Sequence, residues 1–355
     1  MFRTLLAAAA LAVGLAAPSL AADDPLKIGF VYVGPIGDHG WTYQHHEGLK
    51  AVEDAYGDKV ETTYIESVSE GPDAERVIRQ LAASGHGLIF TTSFGFMDPT
   101  IKVAKQFPDV MFEHATGYKR ADNVATYSAR FYEGRYIAGA IAAKMSKTGK
   151  AGYVASFPIP EVIRGVNAFL LGMQSVNPDA TIAVTWVNSW YDPGKEADAA
   201  KALIAQGADV ITQHTDSPAP LQTAANAGIV GIGQASDMHE FGKEAQLTSV
   251  IDNWAPYYVE RVGMALDGSW ESTDTWDGIQ PGMVQMSPYF NMPYAVARDA
   301  KNMEDMIRVG LMHPFTGPII DRDGTERVAA GETPDDGMLA TMDFFIKGVE
   351  GDLPK

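Results

Sequence analysis

Lys27-Ile28-Gly29-Phe30-Val31 followed by Pro35-Ile36, and Lys150-Ala151-Gly152-Tyr153-Val154 followed by Pro158-Ile159, are one short phrase written twice, displaced by about 123 residues. A second pair keeps nearly the same register: Leu81-Ala82-Ala83-Ser84-Gly85-His86-Gly87-Leu88-Ile89 against Leu203-Ile204-Ala205-Gln206-Gly207-Ala208-Asp209-Val210-Ile211. Any two strand–helix units share glycines at helix ends and β-branched residues in strands. Several matches in one register point instead to a duplicated α/β lobe.

Working outward, β-rich runs alternate with amphipathic stretches, the pattern of parallel sheets covered by helices. Strands are expected at 27–33, 60–65, 88–92, 110–114, 151–155, 181–187, 209–213 and 247–251. Between them, residues 74–84 place Val77, Ile78, Leu81 and Ala82 on one helical face. Arg3, the apolar run Leu5 to Ala17, and Pro18-Ser19-Leu20-Ala21-Ala22 have the layout of a secretory signal peptide over residues 1–22. Its removal leaves a chain long enough for two domains of roughly 150 residues. With no cysteine in the sequence, an exported chain has neither disulfides nor an N-terminal lipid attachment point. The net charge of −18 argues against nucleic acid as a partner.

Open parallel sheets bind ligands at the loops beyond the carboxyl ends of their strands, and two such lobes face each other across a cleft. The loops to inspect are 34–42, 93–98, 156–161, 188–192, 214–218 and 234–238. They carry Trp41, Phe94, Phe96, Phe157, Trp190 and Tyr191, rings able to sandwich a flat ligand, and Asp38, Asp98, Asp192, Asp216 and Asp237, acceptors for its N–H or O–H groups. Purines, other amino-heterocycles and sugars all meet that description. Plainer roles compete: Phe157 and Trp190 as lobe core, Asp98 and Asp192 as caps before Pro99 and Pro193. Trp41 follows Gly37-Asp38-His39-Gly40 on what reads as an exposed turn, which favours a ligand role.

Gly34-Pro35-Ile36-Gly37-Asp38-His39-Gly40 is no phosphate cradle, because Pro35 lacks an N–H and Asp38 would repel phosphate. Thr91-Thr92-Ser93-Phe94-Gly95 lacks the first glycine of a nucleophile elbow, so Ser93 is expected to offer a hydroxyl or cap a turn. His39, His45 and His46 do not have metal-ligand spacing and read as surface residues. Neither a metal nor another cofactor is expected.

Several stretches together resemble the basic membrane protein (BMP) family of ABC-importer substrate-binding proteins, relatives of the purine nucleoside receptor. They are Gly37-Asp38-His39-Gly40-Trp41-Thr42 with Glu47-Gly48-Leu49, Thr92-Ser93-Phe94-Gly95-Phe96-Met97-Asp98, Phe107-Pro108-Asp109-Val110-Met111-Phe112, Glu133-Gly134-Arg135-Tyr136-Ile137-Ala138-Gly139, Gly207-Ala208-Asp209-Val210-Ile211 and Thr248-Ser249-Val250-Ile251. The resemblance implies an α/β type I periplasmic-binding-protein fold, two similar doubly wound lobes joined by hinge strands. It implies a purine held between one aromatic from each lobe, with Trp41 and Trp190 at those two positions. On this reading residues 26–127 with about 252–290 form one lobe, 128–251 with about 291–330 the other, and 331–355 a C-terminal helical tail.

Where the family reads Gly-x-Asp-x-Asp-Gln this chain has Gly233-Gln234-Ala235-Ser236-Asp237-Met238; its frequent lysine is Asp252, and a glycine-rich loop is His214-Thr215-Asp216-Ser217-Pro218. Losing one ribose partner and gaining Asp216 favours a free nucleobase such as adenine over a nucleoside. The expected site is Asp38, Trp41, Ser93, Phe94, Phe157, Trp190, Asp216 and Asp237, in a periplasmic, unanchored monomer that delivers its ligand to an ABC importer permease. The other readings are a purine nucleoside binder with the same fold, a nucleoside-cleaving enzyme in the same cleft, and a binding protein that serves a membrane chemoreceptor.

Overall fold

The computed structural model describes residues 24–354, so the leader expected over 1–22 lies outside the described residues. The first lobe is built on β1 (Leu26–Val31), β2 (Val60–Ile65), β3 (Leu88–Thr91), β4 (Met111–Ala115) and β5 (Val124–Ala129), all parallel, in the order β5-β4-β3-β1-β2. Helices α1 (Trp41–Tyr56), α2 (Pro72–Ala83) and α3 (Met97–Ala104) cover it. All four residues of β3 are buried, the signature of a strand covered on both faces. Within β1, Gly29 admits a leucine: a Cβ there would lie 2.9 Å from Leu81 Cδ1 on α2.

The second lobe repeats the device. Strands β6 (Lys150–Ala155), β7 (Thr181–Trp186), β8 (Val210–His214), β9 (Val230–Ala235) and β10 (Gln246–Asp252) run parallel in the order β10-β9-β8-β6-β7. Its helices are α4 (Phe131–Met145), α5 (Pro160–Gln174), α6 (Pro193–Ala205) and α7 (Ala219–Asn226). A Cβ on Gly152 would lie 2.8 Å from Leu203 Cβ on α6, so the repeated Gly and Leu of the sequence are one packing contact used in both lobes.

The chain then returns to the first lobe as α8 (Ala255–Asp267) and β11 (Asp274–Asp277), which extends the first sheet beside β5, and crosses back as β12 (Val284–Met286), antiparallel to β10. Three crossings thus join the lobes. They are sewn together where Arg130 N donates to Asp277 O at 2.7 Å and Asn253 N to Met283 O at 2.8 Å. Because β12 pairs with β10, the first-lobe return expected to reach residue 290 ends before Val284.

Helix α9 (Tyr294–Arg308) packs on α4. The expected helical tail is corrected as well. After the paired strands β13 (Ile319–Ile320) and β14 (Glu326–Val328), the described residues 331–354 contain one five-residue helix, α10 (Asp336–Ala340), and an edge strand, β15 (Val349–Glu350), added beside β7. Side chains of α5 hold this segment: Arg164 Nη1 donates to Leu339 O at 2.6 Å and Asn167 Nδ2 to Phe344 O at 2.8 Å. Among the described residues no helix is long and apolar enough to cross a membrane.

One buried ion pair anchors the returning segment. Glu113 on β4 is fully buried and accepts from Arg261 Nε on α8, Tyr257 Oη at 2.7 Å and Trp270 Nε1 at 2.7 Å. Burial pushes the Glu113 carboxyl up and Arg261 pulls it back. Arg261→Met leaves that carboxylate without its cation and is expected to lower unfolding stability by about 3–5 kcal/mol. Combining it with Glu113→Gln should recover much of the loss in denaturant titrations.

Candidate functional site

The carboxyl ends of both sheets face one cleft, and a short 3-10 turn, Ile36–Asp38, leads into α1 on its first-lobe side. Asp38 is fully buried and accepts from the backbone N–H groups of Gly40 at 2.8 Å, Thr42 at 3.0 Å and Tyr43 at 3.0 Å. These are donors that the first turn of a helix leaves open. Burial raises the Asp38 carboxyl from its ordinary 3.8 to about 7, against the lowering effect of those three donors. Trp41 is therefore the first residue of α1 and not part of an exposed turn. It is 8% exposed, its Nε1 donates to Thr92 O at 2.7 Å, and its ring is backed edge-on by His45, Phe131 and Trp254.

Trp190 lies across the cleft, on the loop that follows β7, with Phe157 behind it at 5.0 Å between ring centres. Its carbonyl accepts from Asp216 N at 2.9 Å, tying the loop after β7 to the loop after β8. The lobes touch on both sides of the cleft. Ser236 Oγ donates to His39 O, the His39 ring meets Phe241 at 4.6 Å, and Trp190 Nε1 donates to Glu70 Oε1 at 3.0 Å. Between these rims Gly40 presses on the second lobe so closely that a Cβ would lie 2.3 Å from Asp216 O.

The enclosed cavity is lined by Val33, Trp41, Ser93, Phe94 and Thr116 from the first lobe and Glu161, Trp190, His214, Asp216 and Gln234 from the second; the space between the atoms, mouth included, is about 320 Å³. Aromatic faces form its walls. Its polar groups are only partly satisfied, for Asp216 Oδ2 and Gln234 Oε1 are buried with no hydrogen-bond partner in the protein. Burial lifts the Asp216 carboxyl well above its ordinary range, and the neighbouring Asp38, Glu196 and Asp252 lift it further. His214 Nε2 stands 3.3 Å from Glu161 Oε1; burial lowers this imidazole, while Glu161 opposes the shift. Near His214 lies Arg135, and near Arg135 lies Asp252, both fully buried, whose side-chain nitrogens and oxygens also have no protein partner. Such a lining suits a small flat molecule with hydrogen-bonding edges.

Of the eight residues anticipated, Trp41, Ser93, Phe94, Trp190 and Asp216 line this cavity. Asp38 stands behind the wall, its oxygens occupied by helix-start amides. Phe157 supports Trp190 from behind. Asp237 is exposed, with its Oδ1 held by Gln246 Nε2 at 2.7 Å and His239 N at 3.1 Å. Asp192 does cap α6, accepting from Lys195 N at 3.1 Å, but Asp98 lies inside α3 and pairs with Lys119 at 2.6 Å. His45 is no surface residue: it is fully buried, stacked on Trp254 and bonded through Nδ1 to Tyr258 Oη at 2.6 Å.

Glu161, His214 and Gln234 also line the cavity and belong to loops that the topology of parallel sheets marks out, whereas Thr116 lies on the loop after β4, outside that set. One signal points to two of them: polar residues at or just past the carboxyl end of a strand, since His214 ends β8 and Thr116 is the first residue after β4. The backbone there is unusual. Ser67, Thr116 and Asn188, just past the ends of β2, β4 and β7, Ala235, the last residue of β9, and His39, before α1, all have positive φ, between 52° and 62°.

Residues 26–308 match a family model described as ABC transporter substrate-binding protein PnrA-like. The chain is 58% identical over 334 residues, 94% of its own length and 95% of the relative's, to a purine-binding protein of Brucella abortus. It is 38% identical over 332 residues, 93% of its length and 82% of the relative's, to a putative ABC transporter glucose-binding protein of Haloferax volcanii. Among solved structures it resembles an ABC transporter solute-binding protein of Aeropyrum pernix, with a TM-score of 0.72 at 19% identity over 81% of this chain and 93% of that one. The fold is the type I periplasmic-binding fold.

Gly40→Ala changes no lining group but places a methyl against the Asp216 backbone, so it should prop the lobes apart and weaken ligand binding by at least about tenfold. Calorimetry measures that loss, and the unfolding midpoint of the ligand-free protein should barely move. Asp38 and Asp216 both hold a proton more tightly in the folded chain, so unfolding releases protons as pH rises above 3.8, in the case of Asp38 up to about 7. Their contribution to stability is greatest at the acid end of that window and is lost as pH rises through it. Asp216→Asn should flatten this slope in urea titrations run at successive pH values.

Proposed function

The chain belongs to the PnrA-like family of ABC transporter substrate-binding proteins, and from that membership we propose that it is a periplasmic receptor for a purine, with a free nucleobase such as adenine favoured. The observation that carries the reading is the cavity between Trp41 and Trp190, with the unpartnered carboxyl of Asp216 on its wall. An indole from each lobe offers a stacking face, worth about 1–3 kcal/mol per base. Asp216 accepts ring or exocyclic N–H groups, and when protonated also donates to a ring nitrogen. Gln234 brings both an acceptor and a donor to the same wall.

One feature supports a base over a nucleoside: Ala235, at the position where the family resemblance implies an acid, is fully buried and brings no hydrogen-bonding side chain. The purine-binding relative in Brucella abortus supports the ligand class. The secretory layout of residues 1–22 supports export, and the lack of any cysteine supports a receptor without a lipid anchor. In this role the protein acts as a monomer, breaks no bond and hands its ligand to an importer permease.

Calorimetry with adenine, adenosine and glucose tests the proposal. Adenine should bind with micromolar or tighter affinity, adenosine about tenfold or more weakly, and glucose not measurably. Trp190→Ala and Asp216→Ala should each weaken adenine binding by about 5- to 100-fold. Binding of glucose without adenine overturns the purine reading, and unchanged adenine affinity in both variants overturns this cavity as its site. Release of free base on incubation with adenosine would make the protein an enzyme.

A further inference from the structure

Glu70 is outside the cavity lining, on the exposed loop between β2 and α2, yet its carboxylate joins the two lobes. Oε1 accepts from Ser93 Oγ at 2.6 Å and Gly95 N at 3.1 Å, both on its own lobe, and from Trp190 Nε1 at 3.0 Å across the cleft. The first two bonds fix the carboxylate in place over the loop after β3. The third can exist only when the lobes are together. Trp190 is fixed from its own side by Phe157 and by its carbonyl bond to Asp216 N, so its indole N–H reaches Glu70 as part of a rigid loop.

We propose that Glu70 is the latch of the closed form: it positions the Trp190 indole over the cavity and sets how long the lobes stay shut. The proposal rests on the reading of the cleft as a ligand site. It assigns Glu70 to the opening step, since a bond formed after the lobes meet acts on the rate of leaving more than on the rate of encounter. Both partners are partly exposed to water, so the effect is a modest multiple: loss of the bond should speed opening by roughly 3- to 10-fold.

The absence of cysteine from the chain allows dyes at Lys59→Cys on the first lobe and Asp198→Cys on the second, both exposed positions. Single-molecule energy transfer then gives opening rates, with adenine at saturation and without it. Glu70→Ala should open roughly 3- to 10-fold faster than the parent. Glu70→Gln keeps an acceptor oxygen and should restore most of the closed lifetime.

Trp190→Phe keeps a ring but has no N–H, so adding Glu70→Ala to it should cause little further acceleration. Equal opening rates in parent and Glu70→Ala, or a full Glu70→Ala effect in the Trp190→Phe background, overturns the latch. A parent that binds neither adenine nor adenosine overturns the purine reading instead; the latch is then judged on spontaneous closures of the ligand-free protein by the same comparisons.

Discussion

The contact between the backbones of Gly40 and Asp216 sets the geometry of the cleft. No side chain fits between them, so the lobes meet there at a fixed distance, and the height of the cavity follows from it. Both partners are held by their own lobes. Gly40 donates to Asp38, whose remaining bonds orient the first turn of α1 and with it Trp41. Asp216 N donates to the Trp190 carbonyl, so the contact that stops closure also locates the second indole. A few backbone hydrogen bonds thereby bring two large rings to a common cavity.

That precision depends on lobes that do not deform. Gly29 against Leu81, and Gly152 against Leu203, pack helix closely on sheet in each lobe, and at Gly152 an added methyl would meet the Cβ of Leu203 itself. The crossings between lobes are different in kind: short stretches of chain, with Arg130, Asp277, Asn253 and Met283 joined by backbone bonds. Rigid bodies on short connections favour hinge motion over internal rearrangement. The buried Glu113 cluster keeps the returning α8 with the first lobe, so the motion leaves that lobe intact.

The repeat was legible because it records this packing, and the parallel sheets followed from it. The β9 strand was not, since Val230-Gly231-Ile232-Gly233-Gln234-Ala235 carries two glycines that read as loop; Gly231 and Gly233 face Leu221 and Ser249 closely in the fold. Strands β11 and β12 are four and three residues long and gain their hydrogen bonds only from partners far away in sequence. In the site, the topological rule located most of the loops but could not say which side chain of a loop turns inward. The left-handed residue Ala235 redirects the chain so that Gln234 lines the cavity and Asp237 faces solvent. Trp41 was read as exposed because nothing local announces Phe131 and Trp254, which back it from elsewhere in the chain.

The electrostatics of the cleft link closure to ligand chemistry. Asp38, Glu196 and Asp252 each lie near Asp216, and all four carboxyls are raised by burial. Only Asp38 belongs to the first lobe, so bringing the lobes together sets its charge against that of Asp216 unless protons or hydrogen-bond donors arrive with the ligand. On the proposed reading a purine supplies N–H groups to Asp216 Oδ2, a buried carboxyl oxygen that has no partner in the protein. A ligand without such donors leaves the carboxyls crowded and gains only the aromatic contact. The same interaction that selects the ligand thus favours the closed form, and differential affinity for the two forms is what a receptor needs to shift its own equilibrium.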